Sequence, residues 1–179
     1  GIHYIEGGWP NPTNSIDINF YSEINKLKLK SKISVFGSTK KSGEKAQDDP
    51  IFRVVAKTDT SVATIVGKSW DLHVRKIICC SLTENLDMIY DSIASLKKIK
   101  DEVIFDAEHF FDGFKRAIEY ALETLMAAYE SGADCLVLCD TNGGTLHWEI
   151  SDIILETMSC AELPISEFVF RSRTRIDSI

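Results

Sequence analysis

Apolar, β-branched runs alternate with segments of helical period along the whole chain, and this alternation constrains the fold more than any other feature. The strand-like runs recur about every 30–40 residues, a spacing typical of strand–helix units. They lie at residues 2–5, 32–36, 61–66, 103–105 and 135–139, with a weaker run at 165–170. Because parallel strands need long crossovers between them, the pattern predicts a parallel α/β sheet, either doubly wound or closed as a barrel.

Two of the intervening segments carry the clearest helical period. In residues 84–98 the apolar side chains recur three and four positions apart, so they fall on one face of a helix. Residues 114–131 repeat this pattern. Both segments are therefore predicted to be helical.

The composition is that of an acidic, folded chain. Its 179 residues include 27 Asp and Glu against 20 Lys and Arg, a net charge of −7, which disfavours nucleic acid as a partner. No apolar run approaches the roughly 20 residues that span a bilayer, so no membrane partner is expected. Five cysteines without a CxxC pair, and no recognisable leader, predict reduced thiols and a cytoplasmic location.

Polar and glycine-rich strings follow five successive strand-like runs. They are Glu6-Gly-Gly-Trp9, Gly37-Ser-Thr39, Gly67-Lys-Ser-Trp70, Asp106-Ala-Glu108 and Asp140-Thr-Asn142. In parallel α/β folds the carboxyl ends of the strands form the ligand crevice. A dinucleotide-binding sheet concentrates its glycines after the first strand, whereas here every strand contributes, so the pattern favours a barrel.

The spacing of these polar residues leaves two interpretations open at each strand end. Asp106 and Glu108 are two positions apart on a strand, so their side chains point the same way. Two carboxylates in one crevice suit acid–base catalysis. The same spacing fits equally well with carboxylates that are only solvated or that cap a helix. Thr141 lies on the strand face of Cys139, where its hydroxyl either binds a substrate carboxylate or belongs to a turn at Asn142. No HxH or HxxxH pair marks a self-contained metal site.

Five longer strings at these strand ends resemble one known superfamily. They are Ile5-Glu-Gly-Gly-Trp-Pro10, Phe36-Gly-Ser-Thr39, Ile65-Val-Gly-Lys-Ser-Trp-Asp-Leu-His73, Asp106-Ala-Glu-His-Phe-Phe-Asp-Gly113 and Leu138-Cys-Asp-Thr-Asn-Gly-Gly-Thr-Leu146. They resemble the isopropylmalate synthase, homocitrate synthase and HMG-CoA lyase superfamily of metal-dependent TIM barrels. The GKSWDLH and DAEHFFDG strings are similar to its citramalate-forming synthases rather than to its lyases.

The resemblance implies a partial (β/α)8 TIM barrel, comprising about strands two to six and a weaker seventh. It implies that residues 1–163 form part of a pyruvate carboxyltransferase-type catalytic domain, and that residues 164–179 form a tail unlike the family. It also implies an acyltransferase that condenses acetyl-CoA with pyruvate to (R)-citramalate in isoleucine biosynthesis. A divalent cation (Mn, Mg or Zn) polarises the keto acid in this family, and the complete enzyme is expected to be a homodimer.

The resemblance also assigns roles to individual residues. It implies catalytic roles for Glu108 and His73, and substrate-binding roles for Thr141, Ser69, Glu6 and Asp106. Glu108 matches the family's fifth-strand glutamate beside the substrate, and Thr141 matches the sixth-strand threonine that binds the keto-acid carboxylate. His73 and Ser69 match the fourth-strand segment, and Glu6 matches the second-strand glutamate.

The family's metal ligands have no counterpart in this sequence. The resemblance places an Asp ligand on a strand before Gly1, and Phe168 and Phe170 stand where two metal-binding histidines are expected. We therefore expect the 179-residue chain alone to be inactive and to bind no stoichiometric metal. The alternatives are a catalytically dead barrel fragment that acts as a binding module, and an HMG-CoA lyase-like carbon–carbon lyase.

Overall fold

The alternating strand and helix pattern forms a parallel α/β structure. A computed structural model describes residues 2–13, 15–161 and 168–172. Its strands are β1 Tyr4–Glu6, β2 Lys32–Ser38, β3 Val62–Lys68, β4 Glu102–Glu108, β5 Cys135–Asp140 and β6 Phe168–Ser172. Its helices are α1 Ser15–Ile24, α2 Pro50–Lys57, α3 Asp71–His73, α4 Leu82–Leu96, α5 Phe110–Arg116, α6 Ile118–Glu130 and α7 His147–Ala161, with a π-helical turn at Val74–Ile78. None of the helices in this described part combines the length and apolar character needed to cross a bilayer.

All six strands run parallel, and each lies beside the next one in the chain. A doubly wound sheet reverses its strand order at a switch point, whereas the order of the described strands is strictly sequential. The sheet is therefore a section of a (β/α)8 barrel wall, and the prediction of a partial barrel is confirmed.

The two faces of the sheet bury different side chains. The outer face carries Ile65 and Phe105, which are fully buried with Ile89 of α4 and Leu125 of α6 in the main core. Burying each such side chain stabilises the fold by about 1.5–3 kcal/mol. A smaller apolar cluster, centred on Ile104, lies on the alternate strand positions of the concave face.

Two helix caps anchor the loop that follows β2. Asp49 caps α2 by accepting hydrogen bonds at Oδ1 from the backbone of the first turn, and its Oδ2 accepts from Lys41 N at 3.0 Å. Ser81 caps α4 by accepting from Glu84 N, and Glu84 Oε1 accepts from Gly43 N at 3.0 Å. The loop is thus held from both sides, which positions it beside the ends of β2 and β3.

The helical segment predicted over residues 114–131 contains the end of one helix and the whole of the next. The chain leaves helical geometry at Ala117, where φ is −149° and ψ is 73°, and this residue separates α5 from α6. The α5 helix packs closely on the preceding strand end, since a Cβ on Gly113 would lie 2.2 Å from Ser69 O. Ala117 thus separates α5 from α6, which packs on the core through Ala121 and Leu125.

The sixth strand overlaps the weaker strand-like run of the sequence. In β6, the backbone positions of Phe168 and Phe170 pair in register with Leu136 and Leu138 of β5. The remainder of that run, residues 165–167, lies outside the described residues, as does the predicted boundary after residue 163. The division between a catalytic domain and a tail therefore stays a prediction.

Candidate active site

The carboxyl ends of β2, β3 and β4 border a cleft of about 520 Å³. Trp9, Val66, Ile78 and Met88 contribute apolar surface to its lining, and residues 38–42 contribute hydroxyl and lysine groups. Lys68 and Glu108 complete the lining. A largely apolar cleft with a few convergent polar groups is the usual form of a small-molecule site.

Two of the charged residues that line the cleft contact each other. Lys68 and Glu108 are paired positions at the ends of β3 and β4, and the Lys68 ammonium forms an ion pair with the Glu108 carboxylate. The two side chains are 26% and 25% exposed, so both are half-buried and reachable from the cleft. The arrangement places a cation and a proton-accepting group side by side on the cleft wall.

His73 lies in an aromatic cluster with Trp70 and His109. The centroid of its ring is 4.7 Å from that of Trp70 and 4.4 Å from that of His109. Burial lowers the pKa of His73, and the neighbouring His109 and Lys68 lower it further. Its Nδ1 is buried and has no hydrogen-bond partner among the described residues. The geometry therefore favours a neutral imidazole with one unsatisfied ring nitrogen.

Thr141 is tied to the end of the neighbouring strand. It directly follows β5, and its Oγ1 accepts a hydrogen bond of 2.9 Å from the backbone N–H of His109, the residue after Glu108. Strand alternation places Thr141 with Cys139, and Glu108 with Ile104, on the concave face. Glu108 and Thr141 thus lie at adjacent strand ends on the same side of the sheet.

Ser69 and Asp106 are both buried, in different surroundings. Ser69 is 0% exposed, and its Oγ accepts a hydrogen bond of 2.9 Å from Thr124 Oγ1 of α6. Its hydroxyl therefore contacts the helix layer, and Ser69 is not part of the cleft lining. Asp106 is 3% exposed and precedes Glu108 by two positions on the concave face of β4.

Glu6 lies at a different level of the sheet from Glu108. Glu6 ends β1 and pairs in register with Ser34 of β2. Ser34 pairs with Val62 of β3, and Val62 pairs with Glu102, the first residue of β4. Glu6 is therefore level with the start of β4, whereas Glu108 is at its end. The chain after Glu6 nevertheless reaches the cleft three residues later, at Trp9.

Sequence reasoning did not single out His109, Asp112 and Asn142 as functional residues. Asp112 Oδ2 lies 3.0 Å from His109 Nδ1 and accepts a hydrogen bond of 3.0 Å from Asn142 Nδ2. Strand alternation alone places His109 on the face opposite to Glu108, and Asn142 fits an ordinary turn. The signal that existed was a histidine directly after a candidate catalytic glutamate.

Curated relatives are similar to nearly the whole chain. The (R)-citramalate synthase of Aquifex aeolicus is 53% identical over 156 residues, which cover 86% of this chain and 29% of that protein. Those of Geobacter sulfurreducens and Sulfolobus acidocaldarius are each 46% identical over 166 residues, or 92% of this chain. These residues cover 31% and 32% of the two relatives. The chain thus spans about 30% of the length of the curated relatives it matches.

Solved structures show the same fold at low sequence identity. The HMG-CoA lyase of Bacillus subtilis has a TM-score of 0.61 at 15% identity, over 86% of this chain and 48% of that one. The HMG-CoA lyase of Brucella melitensis has a TM-score of 0.64 at 10% identity, over 85% of this chain and 52% of that one. No protein-family model matches the chain.

Proposed function

We propose that this chain forms the central part of the catalytic barrel of an (R)-citramalate synthase, which condenses acetyl-CoA with pyruvate. The observation that carries the proposal is the similarity to curated synthases over 86% to 92% of the chain. It is supported by the strand ends, where Glu108 lines the cleft and Thr141 binds the backbone of the next residue, His109. The likeness to HMG-CoA lyases extends only to the fold, so we do not propose lyase activity.

The proposed reaction joins two carbon atoms and releases a thiol. The acetyl methyl group loses a proton, its carbon forms a bond to the carbonyl carbon of pyruvate, and the carbonyl oxygen becomes a hydroxyl group. Water then cleaves the thioester, which yields (R)-citramalate and free CoA. Each of these steps moves a proton, so the site needs groups that accept and return one.

Residues at and beside the cleft are proposed to carry out these proton transfers and to bind the substrate. Glu108 accepts or returns a proton beside the ammonium of Lys68, with which it is paired. Thr141 binds the keto-acid carboxylate, and the neutral ring of His73 hydrogen-bonds the substrate. Removal of one acid–base group typically costs about 10²–10⁴-fold in rate, so we assign to Glu108 the largest contribution to the rate acceleration.

The remaining proposed site residues act from less direct positions. Ser69 is buried against Thr124, so we place it behind the cleft, where its hydroxyl fixes the segment after β3. Asp106 is proposed to support Glu108 from within the concave face. Glu6 is proposed to contribute at the end of β1, next to the segment that carries Trp9 into the cleft.

The described residues do not by themselves fit the divalent cation that the family resemblance implies. Among them, no group of three His, Cys, Asp or Glu side chains is arranged to hold a metal. The Glu108 carboxylate is already paired with Lys68. We therefore derive no step through a metal. The same proposal includes a cytoplasmic location, a homodimer for the complete enzyme, and no nucleic-acid or membrane partner.

A hybrid enzyme tests this proposal. The matching residues of this chain would replace the corresponding segment of the Aquifex aeolicus synthase, and the hybrid would be supplied with acetyl-CoA and pyruvate. We expect citramalate and CoA to form in equal amounts, identified by chiral chromatography and thiol titration. The unaltered Aquifex enzyme is the control.

Two results would overturn the proposal. A hybrid that unfolds cooperatively but releases CoA without citramalate would reveal thioester hydrolysis rather than condensation. A folded hybrid that forms neither product would favour the binding-module alternative.

A further inference from the structure

His109 adopts a backbone conformation that few residues accept. Its φ is 57° and its ψ is 33°, in the left-handed region, at the point where β4 ends and α5 begins. Among residues with a side chain, His, Asn and Asp occupy this region most readily, whereas β-branched residues rarely do. The His109 amide faces β5, on the side of β4 opposite to the Glu108 carbonyl, which accepts a hydrogen bond of 3.1 Å from Ser69 N.

The His109 amide donates a hydrogen bond to the hydroxyl oxygen of Thr141. The distance from His109 N to Thr141 Oγ1 is 2.9 Å. A hydroxyl group carries one donor hydrogen, and an oxygen that already accepts a hydrogen bond directs this hydrogen elsewhere. Among the described residues, no acceptor receives the Thr141 hydrogen. The geometry therefore leaves Thr141 as a hydrogen-bond donor toward a ligand at the strand ends.

The side chain of His109 is fixed by the adjoining strand end. Its Nδ1 lies 3.0 Å from Asp112 Oδ2, and because a carboxylate only accepts, Nδ1 is the donor. The same carboxylate oxygen accepts from Asn142 Nδ2 at 3.0 Å. One carboxylate thus links the loop after β4 to the loop after β5.

The ring of His109 also packs against the other imidazole of the site. It is 8% exposed, and it meets the His73 ring with a centroid distance of 4.4 Å and an interplanar angle of 69°. The Trp70 ring lies 5.7 Å from it on the same side. His109 therefore contacts both Thr141 and His73 without lining the cleft itself.

We propose that His109 is a positioning residue that orients the Thr141 hydroxyl as a donor to the keto-acid carboxylate, with Asp112 holding its ring. This inference rests on the proposed function, because it takes a keto acid as the ligand. The hydrogen bond from the His109 amide to Thr141, on which the inference is built, can be tested without any catalytic activity.

The kinetic test uses substitutions at position 109 in the hybrid enzyme described above. His109→Val disfavours the left-handed conformation, so we expect the pyruvate KM to rise about tenfold, with kcat and the acetyl-CoA KM within about twofold. His109→Asn retains that conformation, so its pyruvate KM is expected within about threefold of the parent value. His147→Val, at an exposed histidine that starts α7, is the matched control.

A double substitution separates positioning from general packing. If His109 acts through Thr141, then His109→Val adds nothing to the pyruvate KM in a Thr141→Val background. A residue needed only for packing would raise KM by the same factor in both backgrounds, and that result would overturn the proposal. An unchanged pyruvate KM for His109→Val would overturn it as well.

A second measurement uses the 179-residue chain itself and needs no activity. Hydrogen exchange of the His109 amide, followed by NMR, should be slow in the unaltered chain and in Thr141→Ser. In Thr141→Val, which lacks the acceptor, we expect exchange at least about tenfold faster. Equal rates in all three chains would refute the hydrogen bond and with it the inference. A hybrid that forms no citramalate would refute only the proposed function.

Discussion

Lys68 and Glu108 stand opposite each other at the ends of β3 and β4, and their side chains form an ion pair on the wall of the cleft. Both are about one quarter exposed, so solvent screens the pair and its contribution to stability is about 1 kcal/mol or less. The pair therefore does little for the fold. Its consequence is chemical, since it holds a carboxylate beside a cation on the wall of the cleft.

Replacement of Glu108 by Gln tests the role of this carboxylate in proton transfer. In the hybrid enzyme we expect kcat to fall about 10²–10⁴-fold while the pyruvate KM changes little, because an acid–base group acts mainly in the transition state. Glu156→Gln, at an exposed position of α7, is the matched control. Unchanged turnover in Glu108→Gln would remove this residue from the mechanism.

The ionisation of His73 is expected to differ from that of an exposed histidine. Burial is the main reason that its pKa is lowered, and His109 and Lys68 add to it, so NMR titration of the 179-residue chain should give a midpoint below 6.5. Because the folded state favours the neutral ring, this group's contribution to stability is complete above pH 6.5 and is lost as the pH falls from 6.5 through the lowered pKa of the folded state.

A substitution separates the effect of burial on the His73 pKa from the effect of the neighbouring charges. His109→Asn removes one neighbouring charge but leaves the burial, so the His73 midpoint should rise while staying below 6.5. A midpoint at or above 6.5 in the unaltered chain would contradict the buried environment of the ring. His73→Asn assigns the resonance.

The contact between α5 and the segment after β3 is expected to tolerate no added methyl group. A Cβ at Gly113 would lie 2.2 Å from Ser69 O, which is a backbone atom and cannot move aside like the end of a side chain. Gly113→Ala should therefore lower the free energy of unfolding by about 3 kcal/mol, measured by urea titration.

Gly144→Ala is the matched control, because its Cβ would meet no atom within 4 Å. We expect this variant to unfold within about 0.5 kcal/mol of the unaltered chain. Equal stability of the two alanine variants would show that α5 does not pack on Ser69 as described.

The 179-residue chain by itself is expected to catalyse no condensation and to bind no stoichiometric cation. A metal site needs several ligands that converge on one point, and the described residues offer no such group of three. Incubation with acetyl-CoA, pyruvate and Mn²⁺ or Mg²⁺ should release no CoA above background, and calorimetry should detect no tight 1:1 binding. Turnover, or one tightly bound cation per chain, would show that the chain holds a site of its own.

Several features of the fold follow from local sequence alone. The apolar runs within β3, β4 and β5 mark buried parallel strands, because both faces of such strands are covered and their central residues are mostly apolar. The polar strings that follow these strands predict a common edge, since parallel strands end on the same side of a sheet. The positions of Glu108 and Thr141 at that edge are thus readable from the sequence.

Other features depend on contacts between residues that are far apart in the chain. No glycine or proline stands at the break at Ala117, and the close approach of Gly113 to Ser69 O joins segments that are distant in the sequence. The hydroxyl of Ser69 follows a strand end, yet its partner is Thr124 in the helix layer.

The candidate site also combines features that follow from local sequence with features that depend on distant contacts. The residues at the strand ends can be read from the sequence, because strand period and the alternation of strands with helices are local properties of the chain. The left-handed conformation of His109 and the contact of its amide with Thr141 depend instead on the folded sheet. That hydrogen bond requires β4 and β5 to be side by side, and a donor and an acceptor 32 positions apart can meet only after both strands have joined the sheet.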